Sequence, residues 1–303
     1  MKKLYGITIA MVTPFDEQEQ VDHEALGRLT EFLIGKGVNC LYPCGTTGEM
    51  LHLSCEERMK IAETVVKTAA GRCNVFIHCG AAAEKETIAL AQHAHAIGAD
   101  GIGVVTPVFL GVNQRELEEF YLRVSASVPD DFPIYLYNIP QCAANDISAE
   151  SAEKLAKSAP NIIGIKYSFA DINRTIDYIN IKNGGFSVLH GCDRALTALL
   201  AMGCDGTVSG AAGVFPEPFV AVYKAFTEGN IKKAQELQRS CVAIVDILRR
   251  GANMAYFKSA LLLRGIDVCG MRKPQLNLTE EESAALEKEI RDYCDKYDIT
   301  LKV

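Results

Sequence analysis

Short apolar runs alternate with longer segments of helical period over about the first 225 residues of the chain. Eight of these runs have the length of buried strands. They are Gly6–Met11, Cys40–Pro43, Val75–His78, Gly101–Val105, Ile134–Asn138, Ile162–Lys166, Ser187–His190 and Thr207–Ser209. Because strands that alternate with helices form parallel sheets, eight such units favour a closed (β/α)8 barrel of the TIM type. An open, doubly wound sheet is the alternative, since periodicity alone does not show that a sheet closes.

Local turn and capping patterns support the alternation. Three similar segments, Gly35–Asn39, Gly98–Gly101 and Gly203–Gly206, each follow a helical pattern and precede a strand. Glycine just past a helix end adopts the left-handed conformation that closes the last turn. Ser54–Glu57 has the sequence of a capping box at the start of an amphipathic segment. These features predict repeated helix-to-strand corners.

The pattern changes after Gly229, where strand-like runs stop. Residues 230–250 and 252–264 have helical periods, and the capping box Thr279–Glu282 begins a third helical segment. We therefore predict a catalytic barrel over residues 1–229 and a C-terminal extension of three helices over residues 230–303.

Composition narrows the classes of partner. The 303 residues are 49% hydrophobic and carry a net charge of −7, which disfavours nucleic acid and anionic membrane as partners. No apolar stretch approaches the ~20 residues of a membrane span. The N-terminal segment Met1–Gly6 is basic but leads into no long apolar core, which argues against a signal peptide. We expect a cytoplasmic protein.

The eleven cysteines and the histidines give no pattern typical of a metal site. No Cys-x-x-Cys pair occurs, and an odd number of scattered cysteines suits buried reduced thiols better than disulfides. His93 and His95 are two residues apart on a predicted helix, so they do not share a face. His78 and His190 end strands without neighbouring ligands, and we expect them to be hydrogen-bonded structural residues. No Gly-x-Gly-x-x-Gly follows a strand, so the sequence predicts neither a metal nor a dinucleotide cofactor.

Lys166 is the residue that most strongly suggests chemistry. It ends the apolar run Ile162–Ile165, and functional groups of a (β/α)8 barrel gather at the carboxyl ends of the strands. If its side chain is desolvated, the neutral amine is favoured and can attack a ketone. The alternative is an ordinary solvated lysine at a strand end.

Two further strand ends complement Lys166. Tyr137 lies next to the end of the preceding strand at the matching height, where a phenol could relay protons, although such a tyrosine can also simply cap the core. Gly45–Gly48 contains Thr46 and Thr47, whose hydroxyls and backbone N–H groups would suit a small carboxylate. A plain glycine turn is the alternative for that segment.

These residues resemble the dihydrodipicolinate synthase/N-acetylneuraminate lyase family of pyruvate-dependent class I aldolases. The likeness rests on Gly45–Glu49, Tyr137–Pro140 and Gly164–Lys166, in this order. It implies that Lys166 forms an imine with pyruvate and that Tyr137 relays protons. It also implies that Thr46 and Thr47 hold the carboxylate of the keto acid, with the Val208 backbone nearby. Members of the family are typically homotetramers built as dimers of dimers.

Departures from the family pattern bear on the second substrate. Members that make dihydrodipicolinate usually have an arginine where this chain has Cys142 and a tyrosine where it has Phe109. The segment around Ser168 and the segment Gly191–Asp193 instead resemble sialic acid lyases. Arg194 replaces an acidic residue of that pattern, and a guanidinium can only donate hydrogen bonds. An anionic or oxidised sugar acid is then favoured, unless Arg194 faces solvent or pairs with a neighbouring carboxylate.

The sequence therefore predicts a lyase that joins pyruvate to an aldehyde, or cleaves a 2-keto-3-deoxy acid, without a metal or organic cofactor. The closest matches in chemistry are N-acetylneuraminate lyase and 2-keto-3-deoxy sugar acid aldolases. A dihydrodipicolinate (4-hydroxy-tetrahydrodipicolinate) synthase is the first alternative. A non-catalytic barrel that binds a keto acid is the second, although the four residues Lys166, Tyr137, Thr46 and Thr47 speak against it.

Overall fold

Eight parallel strands close into a barrel in the computed structural model, which describes residues 1–302. The strands are β1 Gly6–Ala10, β2 Cys40–Tyr42, β3 Asn74–His78, β4 Gly101–Val105, β5 Ile134–Asn138, β6 Ile162–Tyr167, β7 Ser187–His190 and β8 Gly206–Ser209. Each strand pairs with its neighbours in sequence, and β8 pairs with β1 to complete the ring. The predicted (β/α)8 barrel is therefore confirmed, and the open sheet is excluded. The predicted strand bounds differ from the observed ones by no more than one residue at either end.

Twelve α-helices lie outside the barrel or extend it within residues 1–302. They are α1 His23–Gly35, α2 Cys55–Ala69, α3 Glu84–Ala96, α4 Gln114–Ala126, α5 Pro140–Ala143, α6 Ala149–Ser158, α7 Ile172–Ile179, α8 Leu196–Met202, α9 Pro216–Thr227, α10 Ile231–Ile247, α11 Met254–Leu263 and α12 Glu280–Tyr297. Their buried faces and the outward faces of the strands form one continuous apolar core. No helix in this part of the chain combines the length and the apolar character that crossing a bilayer requires.

The predicted helix ends are observed. Both capping boxes form, with Ser54 and Thr279 each exchanging hydrogen bonds with the glutamate three residues on. Gly37, Gly98 and Gly203 have φ values of +77°, +77° and +109°, as the proposed helix-to-strand corners require. Local sequence therefore determines where these helices begin and where the chain turns into the next strand.

The C-terminal extension consists of α10, α11 and α12; α10 packs against α9, and α12 packs against both α10 and α11. Its first helix begins at Ile231, and Val303, the last residue of the predicted extension, lies outside the described residues. Arg264, directly after α11, is fully buried and forms an ion pair with Glu217 of α9, at an Nη2–Oε1 distance of 2.5 Å. A buried cation needs such a partner, so this pair ties the extension to the barrel.

The cysteines follow the expectation of buried thiols only in part. Six of the eleven are buried, three are partly exposed, and Cys142 and Cys269 are exposed. Burial raises the pKa of most of the enclosed thiols, for example that of Cys44 to about 11. Such thiols are protonated at neutral pH and serve as small apolar side chains.

Candidate active site

Lys166 stands near the carboxyl end of β6 and is almost fully enclosed. The residue as a whole is only 4% exposed. The Nζ atom lies 3.9 Å from the ring centroid of Tyr137 and 5.0 Å from that of Tyr42. Aromatic faces accommodate an ammonium group and shield it from bulk water. The amine is thus held in one place at the mouth of the barrel.

Tyr137 is placed beside Lys166 by strand register. Tyr137 of β5 and Lys166 of β6 are direct partners in the parallel ladder, as their matching positions near the strand ends predict. The Tyr137 hydroxyl lies 3.2 Å from Thr46 Oγ1, across the barrel mouth. A hydrogen-bonded chain therefore runs from the loop after β2 to the phenol, next to the amine.

The loop after β2 presents Thr46 and Thr47 to the cavity. The Glu49 backbone N–H donates to the Thr46 carbonyl at 3.0 Å, which makes the segment a tight turn. The backbone N–H groups of Thr46 and Thr47 donate to no acceptor among residues 1–302. A Cβ at Gly48 would lie 3.0 Å from the Met11 carbonyl oxygen, so the turn needs glycine there. Two hydroxyls and two unused N–H groups can receive a carboxylate.

One cavity of about 390 Å³ contains every residue that the sequence analysis proposed for the site. These residues are Thr46, Thr47, Tyr137, Lys166, Ser168, Gly191, Asp193, Arg194 and Val208. They come from the carboxyl ends of β2, β5, β6, β7 and β8, because parallel strands of a closed barrel all end at the same rim. The volume is that of a small-molecule site.

Gly191 allows the ends of β6 and β7 to approach closely. A Cβ at Gly191 would lie 2.3 Å from the Ser168 hydroxyl oxygen, so a larger residue would push the two loops apart. The Gly191 N–H donates to the Tyr167 carbonyl at 2.8 Å, and the Ser168 N–H donates to the Asn138 carbonyl at 3.0 Å. The two loops therefore form a continuous wall.

Asp193 is oriented by two hydroxyls of β8. Ser209 Oγ donates to it at 2.7 Å and Thr207 Oγ1 at 3.1 Å. Burial raises the pKa of Asp193 to about 6, against the lowering effect of these hydrogen bonds. The side chain is thus an acceptor at neutral pH and can donate a hydrogen bond at lower pH.

Arg194 lies on the rim of the cavity and pairs with Asp246 of α10. Its side chain is 39% exposed. It contacts the Asp246 carboxylate and also lines the cavity. The structure thus shows the alternative that the sequence left open, an ion pair with a neighbouring carboxylate, and it also places Arg194 in the lining of the cavity.

Cys142 and Phe109 occupy different surroundings. Cys142, in the short helix α5, lines the cavity. It stands at the position where the sequence comparison with dihydrodipicolinate synthases led us to expect an arginine. Phe109 has a φ of +73° and is 90% exposed, so its ring lies outside the cavity of its own chain. Leu110 and Leu51 are also exposed, at 70% and 67%.

His78 packs against the ring of Tyr137. Its ring packs edge-on against the Tyr137 ring with centroids 5.7 Å apart. Nδ1 lies 2.9 Å from the Cys44 carbonyl oxygen, and Nε2 accepts from the Val105 N–H at 3.3 Å. Burial and the Arg58 guanidinium hold the pKa of His78 well below its usual range. The imidazole is therefore neutral, with its proton on Nδ1, and has a structural role.

His190 is also held by hydrogen bonds. The Cys192 N–H donates to its Nδ1 at 3.0 Å, and burial lowers the pKa of His190 to about 4. Among residues 1–302, no three His, Cys, Asp or Glu side chains come close enough to bind one metal ion.

The structure adds residues that sequence reasoning missed. Glu49 follows the Thr46–Gly48 turn and forms a buried ion pair with Lys258 of α11, with an Nζ–Oε1 distance of 2.8 Å. Arg250, Met254 and Phe257, from the C-terminal extension, line the cavity. Of these residues, only Glu49 could have been found from the sequence, because it directly follows the turn. The cavity residues of the C-terminal extension are distant from the turn in sequence.

The fold and the cavity together define a class of protein. A closed (β/α)8 barrel carries reacting groups at the carboxyl ends of its strands. An enclosed lysine amine beside a phenol is suited to attack a carbonyl carbon and to exchange protons with it. These features are those of a barrel lyase of class I.

The chain belongs to the dihydrodipicolinate synthetase family, whose model matches residues 3–293. It is 35% identical to a 4-hydroxy-tetrahydrodipicolinate synthase of Aquifex aeolicus over 98% of this chain and 99% of the relative. It is 34% identical to a probable 2-dehydro-3-deoxy-D-pentonate aldolase of Escherichia coli over 82% of each chain. A crystal structure of a prophage protein of this family from E. coli, in complex with pyruvate, superposes with a TM-score of 0.90 at 30% identity, covering 96% of this chain and 99% of the other.

Family membership makes the chain a pyruvate-dependent class I lyase. The names of its relatives divide between a synthase and a sugar acid aldolase, so the family alone leaves the aldehyde open.

Proposed function

We propose that the chain is an aldolase that joins pyruvate reversibly to a sugar-derived aldehyde, with a 2-keto-3-deoxy acid as the product. The observation that carries the proposal is the enclosed Lys166 amine, which opens onto a cavity where Tyr137 and Thr46 are already hydrogen-bonded. A barrel that merely binds a keto acid would not need an amine and a phenol in register.

The proposed reaction balances without an external oxidant, reductant or cofactor. The Lys166 amine adds to C2 of pyruvate, and loss of water leaves an imine. Loss of a proton from C3 moves an electron pair toward the imine nitrogen and gives an enamine. C3 then attacks the aldehyde carbon, and the aldehyde oxygen takes a proton that Tyr137 relays. Water hydrolyses the new imine and frees Lys166.

The two ends of the cavity serve different parts of the substrate in this proposal. Thr46 and Thr47, with their free N–H groups, hold the pyruvate carboxylate, and the Val208 backbone lies along the keto acid. Asp193 and Arg194, on the loop after β7, face the aldehyde. Ser168 and Gly191 complete the wall between these two ends. The N-acetylneuraminate lyase reaction is one of the reactions that this arrangement would support.

Dihydrodipicolinate synthase activity should be weak. At the position of the expected arginine, the cavity presents the thiol of Cys142, which cannot pair with the carboxylate of aspartate semialdehyde. A lost charge-assisted hydrogen bond is worth about 1.5–3 kcal/mol, or roughly 10- to 150-fold in kcat/KM. Steady-state assays with pyruvate should therefore give a much lower kcat/KM for aspartate semialdehyde than for sugar-derived aldehydes.

The Cys142→Arg variant is the matched control for that comparison. It should raise the kcat/KM for aspartate semialdehyde without a similar gain for neutral sugar aldehydes. Efficient formation of the cyclic product by the unmodified enzyme at low semialdehyde would establish the synthase alternative instead.

Arg194 should influence the choice of aldehyde. Its guanidinium lies at the cavity rim, where it can donate hydrogen bonds to the tail of a substrate. The Arg194→Ala variant should change the ratio of kcat/KM between anionic and neutral sugar aldehydes by about three- to tenfold, since the contact is partly exposed. Arg239→Ala removes an exposed arginine of α10 outside the cavity and should leave the ratio as it was. Equal ratios in all three proteins would show that Arg194 is only a surface cation.

We further propose a cytoplasmic homotetramer. The exposed apolar side chains of Leu51, Phe109 and Leu110 lie on loops after β2 and β4, and a second copy would cover them. Burying such side chains between subunits is favourable.

A further inference from the structure

Two arginines from different parts of the chain meet at the rim of the cavity. Arg194 follows β7, whereas Arg250 comes from the segment between α10 and α11. In that segment Arg249, Arg250 and Gly251 have positive φ values of 53°, 56° and 75°. The backbone is kinked there, and Arg250, Gly251 and Ala252 all line the cavity.

The two guanidinium groups share one carboxylate. Arg250 Nε lies 2.8 Å from Asp246 Oδ1, and Arg194 Nη1 contacts the same oxygen. The hydrogen bond from Arg250 has the larger effect and that from Arg194 the smaller, and both lower the pKa of Asp246. Asp246 is therefore ionised at neutral pH. Two cations and one anion leave a net charge of +1 in this cluster.

The ion pairs of this cluster are exposed enough to exchange. The side chains of Arg194, Asp246 and Arg250 are 39%, 41% and 68% exposed. Pairs in contact with water contribute little to stability, so a bound anion can replace Asp246 at little cost.

The charges on the cavity wall also favour an anion. Apart from Lys166, which the proposed function joins to pyruvate, the charged lining residues are two cations, Arg194 and Arg250, and one carboxylate, Asp193. The oxygens of Asp193 already accept hydrogen bonds from Thr207 and Ser209. Each arginine at the rim keeps further N–H groups beyond the one that contacts Asp246, and these can donate to an anion at the end of the cavity.

We propose that Arg194 and Arg250 bind an oxyanion at the far end of the aldehyde, and that this oxyanion takes the place of Asp246. The inference rests on the proposed function, which places pyruvate at Lys166. The substrate class is a short hydroxyaldehyde that ends in a carboxylate or a phosphate. Aspartate semialdehyde fits poorly, because it carries an ammonium beside its carboxylate that two guanidinium groups repel.

Three aldehydes of equal backbone length test the subsite in steady-state assays with pyruvate. They are glyceraldehyde, which is neutral, tartronate semialdehyde, which ends in a carboxylate, and glyceraldehyde 3-phosphate. The enzyme should favour at least one anionic aldehyde over glyceraldehyde by about tenfold or more in kcat/KM. Comparison of the two anionic aldehydes identifies which oxyanion the subsite prefers.

Variants separate the role of the arginine from a general change of charge. Arg250→Ala should reduce the preference for the anionic aldehyde by about fivefold or more, and Arg250→Lys should restore part of it. Asp246→Asn should increase the preference, because it removes the competing carboxylate. Arg239→Ala, on the same helix as Asp246 but outside the cavity, should keep the original ratio.

A ratio that is unchanged in both Arg250→Ala and Asp246→Asn would overturn the subsite. Borohydride trapping of pyruvate on the unmodified enzyme is measured alongside. If trapping fails, the proposed function is wrong; if trapping succeeds and the ratios do not change, only the subsite is wrong.

Discussion

Replacing Lys166 with alanine should abolish covalent capture of pyruvate and reduce turnover by on the order of 10³-fold or more, because the covalent route is lost. In the unmodified enzyme, borohydride should reduce the imine and add a pyruvate-derived mass to the peptide that contains Lys166. Mass spectrometry of the digested protein measures this directly. The enclosed position of the amine against Tyr137 and Tyr42 is the structural basis for the expectation.

Lys166→Arg is the matched control. It keeps a positive charge at the same position, but a guanidinium stays protonated and forms no imine under these conditions. Both variants should therefore lose trapping to the same extent. Unchanged labelling in Lys166→Ala would mean that another amine is the nucleophile, and the assignment would fail.

Replacing Lys258 with methionine should lower the free energy of unfolding by about 3–5 kcal/mol, because it leaves the Glu49 carboxylate buried without its cation. The side chains of Glu49 and Lys258 are each only 2% exposed. Lys258 Nζ also donates to the Gly270 carbonyl at 2.8 Å and lies 4.2 Å from the Phe15 ring centroid. Denaturant unfolding monitored by circular dichroism measures the change.

Two comparisons identify the cause of that loss. The double variant Lys258→Met, Glu49→Gln removes both charges and should be more stable than Lys258→Met alone. Lys233→Met breaks an ion pair with Glu236 in which both side chains are about half exposed, at 54% and 51%, and should cost no more than about 1 kcal/mol. If Lys258→Met is as stable as Lys233→Met, the buried pair does not hold the structure together.

The Glu49–Lys258 pair also connects stability with the active site. Glu49 directly follows the turn that presents Thr46 and Thr47, and it has the left-handed φ of 59°. Lys258 is on α11, one residue after Phe257, which lines the cavity. The pair therefore fixes the carboxylate-binding turn against the C-terminal extension, and its loss should disturb both.

The sequence determined the barrel and the centre of the candidate site. Strand and helix periods are local properties, and eight strand–helix units predict a parallel sheet and favour a barrel. Closure itself was decided by the pairing of β8 with β1. Lys166 and Tyr137 each end an apolar run, and in a parallel sheet equivalent strand ends lie side by side. Their pairing in the ladder follows directly from that rule.

Only the tertiary structure placed Arg250 and Asp246 at the cavity and joined Lys258 to Glu49. These groups come from the C-terminal extension, and the period of its helices specifies which faces are buried but not which strand ends they approach. That approach depends on how α10 and α11 pack across the barrel. Long-range packing, rather than any local pattern, therefore decided which charges surround the far end of the cavity.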